Sequence, residues 1–375
     1  MKKVCVVTAA RSEYGPLRWV IDEILHNPSL ELQLVVTGAH LLEEQGLTYK
    51  KIEADGYPIA AMVDMRLNTT TKASIAESTG HCSIGFSRVL NDLQPDLLLV
   101  LGDRYELLPI CGVALIMNIP IAHISGGDVT VGAIDNEIRN AVTMMAELHF
   151  PGVKESAENI IRMRNSDKHV WAVGEPGLDN FHRLQLMNRL ELSKNLHIPL
   201  DNRWVLVTLH PETQESLDYN LKMAENIIKL TDGLSDISVV ISYANADFGG
   251  VQINDFWNNA AKKNSQKYNV YPSLGQIRYL SFMKESFAVV GNSSSGIIEA
   301  PHLGIPVINI GNRQTGRHLC KNILQVNNSE TEIINAWKYI EQKNCRISDN
   351  YYGDGHASEK IVKHIQEFLL DKQHA

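Results

Sequence analysis

Residues 95–108 read PDLLLVLGDRYELL. Five consecutive apolar residues, Leu97 to Leu101, run into Gly102, and an acid and an arginine, Asp103 and Arg104, stand directly behind the glycine. A strand that is apolar on both faces of its pleat has no side to give to water. This run therefore predicts a strand in a parallel sheet covered by helices on both faces. In such sheets ligands bind beyond the carboxyl ends of the strands, which is where the acid–arginine pair stands.

The same grammar continues on both sides. KVCVVTA (3–9), LQLVVTG (32–38), PIAHISGG (120–127) and HVWAVGEPG (169–177) are further short apolar runs ending in small or polar residues. Helical patterns separate them. In PLRWVIDEIL (16–25), Leu17, Val20, Ile21, Ile24 and Leu25 keep helical spacing, and Pro16 suits a first turn. SIGFSRVLNDL (83–93) and DNEIRNAVTMMAEL (135–148) read the same way. This alternation predicts an α/β chain with a doubly wound sheet. Near residue 203 the pattern restarts with RWVLVTLH, ISVVISYANAD, FAVVGNSSS and IPVINIG. We expect a first domain over 1–175, a second over 176–355, and an amphipathic helix, ASEKIVKHIQEFLL, closing the chain within 356–375.

Bulk properties narrow the function. The 375 residues are enough for two cores. A formal charge of −8 argues against nucleic acid as a partner, because phosphate binding is driven by excess Lys and Arg. No apolar run of about 18 residues is present, so no membrane span is expected. The opening MKKVCVVTAARSEYG has too short an apolar run for a signal peptide and reads as a strand, so a cytoplasmic location is expected. Five scattered cysteines without CxxC spacing predict neither disulfides nor a zinc site. HExxH, GxSxG, a P-loop and GxGxxG are missing, so no metal or dinucleotide cofactor is expected.

Several strand-end stretches can carry chemistry. In GNSSSGIIEAP (291–301) a strand is expected to end at Gly291, hydroxylated residues including Ser293 and Ser294 follow, and a helix is expected to begin near Gly296; helix amides with hydroxyls suit a phosphate, and a plain N-cap is the other reading. Glu299, one turn in, would repel phosphate and suits a sugar hydroxyl. GNRQTGR (311–317) sets Arg313 behind a strand, where a guanidinium can clamp a diphosphate, or simply pair on the surface. Arg11 holds the same place after strand one. His210 in TLHPET can serve as acid or phosphate ligand, or be structural. Asn245 and Asp247 end another run. In HISGGDVTVGAIDNEIR, Asp128, Asp135 and Glu137 are acids, with helix capping an alternative for Asp135.

Taken together and in order, TAARSEYG, VVTGAHL, LGDRYE, HISGGD…AIDNEIR, TLHPET, GNSSSGIIEAP and INIGNRQTGR resemble the UDP-N-acetylglucosamine 2-epimerases, nearest the hydrolysing branch that opens sialic and legionaminic acid synthesis. The resemblance covers nearly the whole chain. It implies the GT-B architecture: two Rossmann-like domains, a cleft between them and a last helix returning to the first. It implies elimination of UDP through a 2-acetamidoglucal, then hydration to N-acetylmannosamine. It assigns acid–base or oxocarbenium support to Asp103, a catalytic role to Asp135, and assistance of UDP departure to His210. Arg11, Arg104, Asn245, Ser293, Ser294, Gly296, Glu299 and Arg313 become UDP-sugar contacts. A homo-oligomer, dimer or tetramer, is expected.

The family's EGGE turn begins with a catalytic Glu. Here the turn is SGGD, headed by Ser125, and the second acid and histidine of DDSIRH are Asn136 and Asn140. Ser125 is no ionised base at neutral pH, which leaves Asp128 and Glu137 to take over, or a different proton-transfer scheme. A UDP-2,4-diacetamido-2,4,6-trideoxyglucose substrate competes with UDP-N-acetylglucosamine for that reason. A non-hydrolysing epimerase, a GT-B glycosyltransferase and a UDP-sugar-binding protein share the fold.

Overall fold

The structure, a computed structural model, describes residues 1–129, 134–212, 214–244 and 249–371. They divide into two compact units: Met1–Asn180 together with the segment from Gly353 onward, and Phe181–Tyr352.

Unit 1 is built on six strands: β1 (Lys2–Thr8), β2 (Leu30–Thr37), β3 (Ile59–Val63), β4 (Leu97–Leu101), β5 (Ile121–Ile124) and β6 (Leu148–Phe150). Their order is β3-β2-β1-β4-β5-β6, with every pair parallel. Along β1, Val4 and Val6 join one apolar cluster while Cys5 and Val7 join the cluster on the opposite face. That two-residue alternation of a doubly buried strand is what the unbroken apolar runs encode. The order reverses direction between β1 and β4, the switch point where doubly wound sheets hold ligands.

Two expectations for this unit need correction. The first helix spans Arg11–His26, so Pro16 lies inside it and not in its first turn. The earlier start has a local cause: the Glu13 carboxylate accepts from Ala9 N at 2.6 Å and Ala10 N at 3.1 Å, closing the helix end ahead of the proline. HVWAVGEPG does not form a strand. It makes one parallel bridge, Val170 to His149, and its backbone follows the end of β6 through Trp171 N→His149 O and Val173 N→Pro151 O.

Unit 2 repeats the plan with β7 (Arg203–Thr208), β8 (Ile237–Ser242), β9 (Tyr268–Tyr271), β10 (Ala288–Gly291), β11 (Val307–Ile310) and β12 (Ile323–Val326). The order β12-β11-β10-β7-β8-β9 is again wholly parallel, with its switch point between β7 and β10. Gly291 sits there at φ +142°, and a β-carbon on it would strike the Thr208 carbonyl oxygen. Only glycine lets β10 approach β7 so closely.

The last described helix, Ala357–Asp371, completes unit 1. Ile361, Val362, Ile365, Phe368 and Leu369 enter the same core as Leu17, Ile21 and Ile24 of the first helix. Its first-turn amides have no partner within the helix. Asp179, fully buried, supplies them: Oδ1 accepts from Ala357 N at 3.0 Å and Oδ2 from Ser358 N at 2.8 Å. The helix also presents His364 flat against Trp171, with ring centroids 4.2 Å apart. Among the described residues no helix is long and apolar enough to cross a membrane.

Candidate active site

In unit 1 the chemistry gathers behind β1, β4 and β5. Gly102 turns at φ +89° and the chain passes into Asp103 and Arg104. The two side chains then part. Asp103 forms an ion pair with Arg139, from the Ile134–Met145 helix, whereas Arg104 Nη2 donates to Glu106 Oε1 at 2.7 Å. Asp103 and Arg104 each have a partner inside the protein, so they are not simply two opposite charges waiting for one substrate.

Arg104, half-buried, reaches two buried acids, Glu13 and Glu106. Each of the three keeps one buried polar atom without a hydrogen-bond partner: Arg104 Nε, Glu13 Oε1 and Glu106 Oε2. Burial pushes the Glu13 carboxyl up to about 7, with the neighbouring Glu106 adding to the rise, against its two backbone hydrogen bonds and Arg104. His40 lies alongside, fully buried, between the hydroxyls of Thr8 at 3.0 Å and Thr48 at 2.7 Å. Sequence reading placed Arg11 at this edge, and it is the exposed first residue of its helix.

Behind β5, Ser125 adopts φ +59° and Gly127 φ +81°. At Gly127 a β-carbon would run into the Ser156 carbonyl oxygen, so the double glycine is a steric demand of the turn. Ser156 Oγ donates to Asp128 Oδ1 at 2.5 Å, and Asn159 Nδ2 to the Gly127 carbonyl at 2.8 Å. Asp135 is exposed as a residue, yet partial desolvation of its carboxyl and then the Asp103 charge raise its pKa, opposed by Arg139 and Arg104. Asp103, Asp128, Asp135 and Arg139 thus form one neighbourhood, and the structure adds Arg139 to the residues the sequence singled out.

His40, His123 and His149 are buried, and burial holds them at about 4, 4 and 3, below the ordinary 6.5. The unfolded chain protonates them first. Their contribution is therefore complete above about pH 6.5 and is lost as pH falls toward 4. Glu13 acts oppositely, since its raised pKa favours the folded state on the acid side of 7. Three buried histidines against the raised carboxyls of Glu13 and Asp135 predict that unit 1 loses thermal stability between about pH 6.5 and 4. Calorimetry across that range checks this, and a flat unfolding temperature would contradict it.

In unit 2 the hub is Asn292, fully buried directly behind β10. Its amide clasps the His210 backbone in both directions, accepting from N at 2.8 Å and donating to O at 2.8 Å. Its own carbonyl accepts from Arg313 Nη1 at 3.2 Å and Gln314 Nε2 at 2.8 Å. Glu212 Oε1 accepts from Asn312 N at 2.8 Å and draws the Gly311–Arg313 loop toward the end of β7. Burial raises the Glu212 carboxyl, against those backbone donors. The helix Ser294–His302 starts behind Asn292 with Ser293 as N-cap. A hydroxyl chain runs from Thr208 through Tyr279 to Ser295 and Ser293. Gly296 lies in the first turn. Glu299, half-buried one turn in, has its Oε2 buried and unpartnered, and burial raises its pKa. His210, Ser293, Ser294, Gly296, Glu299 and Arg313 therefore collect around one helix N-terminus, a ready anion seat. Asn245 and Asp247 lie outside the described residues.

Residues 22–366 match the family model of UDP-N-acetylglucosamine 2-epimerase. The chain belongs to that family. Its relatives include a GDP/UDP-N,N'-diacetylbacillosamine 2-epimerase (hydrolyzing) of Campylobacter jejuni, 36% identical over 91% of this chain and 88% of that one. Another is the polysialic acid biosynthesis protein P7 of Escherichia coli, 31% identical over 99% and 95%. Among solved structures, a Neisseria meningitidis UDP-GlcNAc 2-epimerase bound to UDP-GlcNAc superposes with a TM-score of 0.79 at 19% identity, covering 97% of this chain and 100% of that one. The fold of this epimerase-family chain is thus GT-B, two Rossmann-like domains in one polypeptide. The residues that sequence reading missed in it, Glu13, Glu106, His123, Arg139 and Glu212, share one property with Asn292, which it placed at a strand end: each holds another group.

Proposed function

We propose that the chain is a hydrolysing 2-epimerase that takes a UDP-linked 2-acetamido sugar and water to UDP and the free 2-epimeric sugar. The observation that carries this reading is the likeness to the hydrolysing C. jejuni enzyme across nine-tenths of the chain. The same likeness favours UDP-2,4-diacetamido-2,4,6-trideoxyglucose as substrate. UDP-N-acetylglucosamine is the second reading, favoured by the E. coli polysialic acid relative; it would put the chain at the opening of sialic acid synthesis.

The chemistry is an elimination followed by a hydration. The C1–O bond breaks with its electron pair going to UDP, and the C2 proton passes to a carboxylate, leaving a C1=C2 double bond. Water then adds its hydroxyl to C1, and a proton returns to C2 from the opposite face. UDP departs as an anion, so unit 2 supplies Arg313, the Ser293–Gly296 helix amides and His210, with Glu299 for a ribose hydroxyl. The C2 proton is weakly acidic, so its loss needs positive charge building at C1 and an acid–base partner beside it. Asp103 carries that role. Asp135, whose pKa lies above the ordinary carboxylate value, is suited to returning the proton, and Asp128 is the remaining acid of the neighbourhood. Arg11 and Arg104 are the unit 1 cations proposed for the diphosphate.

Proton NMR of the purified protein in D₂O with each sugar nucleotide tests the proposal. Free sugar deuterated at C2, with UDP, is the expected product. A UDP-linked epimer would make the enzyme non-hydrolysing, and no change with any UDP or GDP sugar would point to a glycosyltransferase or a binding protein. Arg313→Ala is expected to weaken UDP by about 1.5–3 kcal/mol, the range for a hydrogen bond to a charged group; unchanged affinity by calorimetry would remove Arg313 from the site. A homo-oligomer is expected, and light scattering on the purified protein reads its mass.

A further inference from the structure

The Ile134–Met145 helix carries Arg139 and Thr143 one turn apart, so both rise from one face. Both lead to the loop behind β4. Arg139 Nη2 pairs with the Asp103 carboxylate itself. Thr143 reaches the residue before it through His123. The Gly102 carbonyl can only accept, so the 2.8 Å contact from His123 Nε2 fixes the hydrogen on that nitrogen. His123 Nδ1 then accepts from Thr143 Oγ1 at 3.2 Å, and burial keeps the ring neutral. Arg139 has a second engagement: its Nη1 donates to the Asp128 carbonyl at 2.9 Å, in the turn behind β5. That turn is held from its other side by Ser156 and Asn159. The Arg139 side chain is 8% exposed, whereas Asp103 at 29% faces solvent in part.

From this geometry we infer that Arg139 is the positioning residue of the reaction, fixing the orientation of the Asp103 carboxylate and locking the loop behind β4 to the Gly126–Asp128 turn. The inference rests on the reading of Asp103 as the acid–base group. A carboxylate on a short side chain can rotate about two bonds. A planar guanidinium with its donors in a fixed fork removes that freedom, and an ammonium does not. Because the same fork grips the backbone of the second loop, Asp103 and Asp128 move together or not at all.

Two measurements test this, one of them independent of activity. In hydrogen exchange, Arg139→Gln is expected to release the amides of 102–104 and 126–128 together while β4 and β5 stay protected. In kinetics, Arg139→Gln is expected to lower kcat about 100-fold, the loss typical of a group displaced by about 1 Å, with UDP affinity unchanged. Arg139→Lys should restore only part of the loss. In an Asp103→Asn background the same Arg139→Gln change should cost no more than about twofold further, because its effect runs through Asp103. A full second loss in that background overturns the inference, as does exchange that spreads through β4 and β5 or touches only one loop. If the native protein releases UDP from no sugar, the functional reading fails, and the exchange result alone decides the coupling: joint release upholds it, and release at neither loop or one overturns it.

Discussion

Asp103→Asn is expected to lower kcat about a thousandfold, inside the range for losing a general acid–base group, while UDP binds as tightly as before. The substitution is nearly isosteric, and the amide oxygen can still accept from Arg139, so the loop behind β4 should keep its shape. What disappears is the ionised carboxylate that meets charge at C1 and the proton at C2. The nucleotide groups proposed in unit 2, Arg313 and the Ser293–Gly296 helix end, are untouched. Steady-state turnover with calorimetric UDP titration separates the two effects. Turnover within a few-fold of native would end the acid–base role of Asp103, and a parallel loss of UDP affinity would recast it as a binding residue.

Asp179→Ala is expected to cost about 3 kcal/mol, because two first-turn amides of the Ala357–Asp371 helix lose a charged acceptor in a fully buried place. For a unit of this size that lowers its unfolding temperature by about 6–12 °C. Asp179→Asn keeps one good acceptor and should lose roughly half as much. Calorimetry on both variants is sufficient, and a change of less than about 2 °C in the alanine variant would show that water caps the helix equally well.

The architecture was readable wherever burial on both faces left its mark on composition. Eight strands announced themselves as apolar runs. The four that sequence reading did not pick out, β3, β6, β9 and β12, are the two edges of each sheet. Edge strands are short or partly exposed: β6 has three residues, and β3 alternates between half-buried and exposed along most of its length. The runs LHF, YNVY and ILQV of β6, β9 and β12 are each short and broken by a polar residue, whereas β3, IAAMV, is an apolar run of five that sequence reading passed over. The reverse error, a strand at HVWAVGEPG, arose because Trp171 and Val173 are apolar for packing in the unit 1 core. At the site, residues that stand at strand ends, such as Asp103, His210 and Ser293, could be picked out by position. Asn292 was also placed by its strand end, but its clasp on the His210 backbone was not legible, and Arg139 could not be picked out at all. Their importance lies in which backbone they grip, and that follows only from the fold.

The discontinuity of unit 1 has a consequence for how the protein is made. Unit 2 is one continuous stretch and can fold as soon as it clears the ribosome. Unit 1 emerges first but lacks Ile361, Ile365 and Leu369 until the rest of the chain has been translated. At about 5–20 residues per second the apolar face of its first helix waits on the order of ten seconds or more, uncovered. During that interval the nascent chain is a natural client for chaperones, and any premature stop within unit 2 releases a polypeptide whose earliest-made half cannot close.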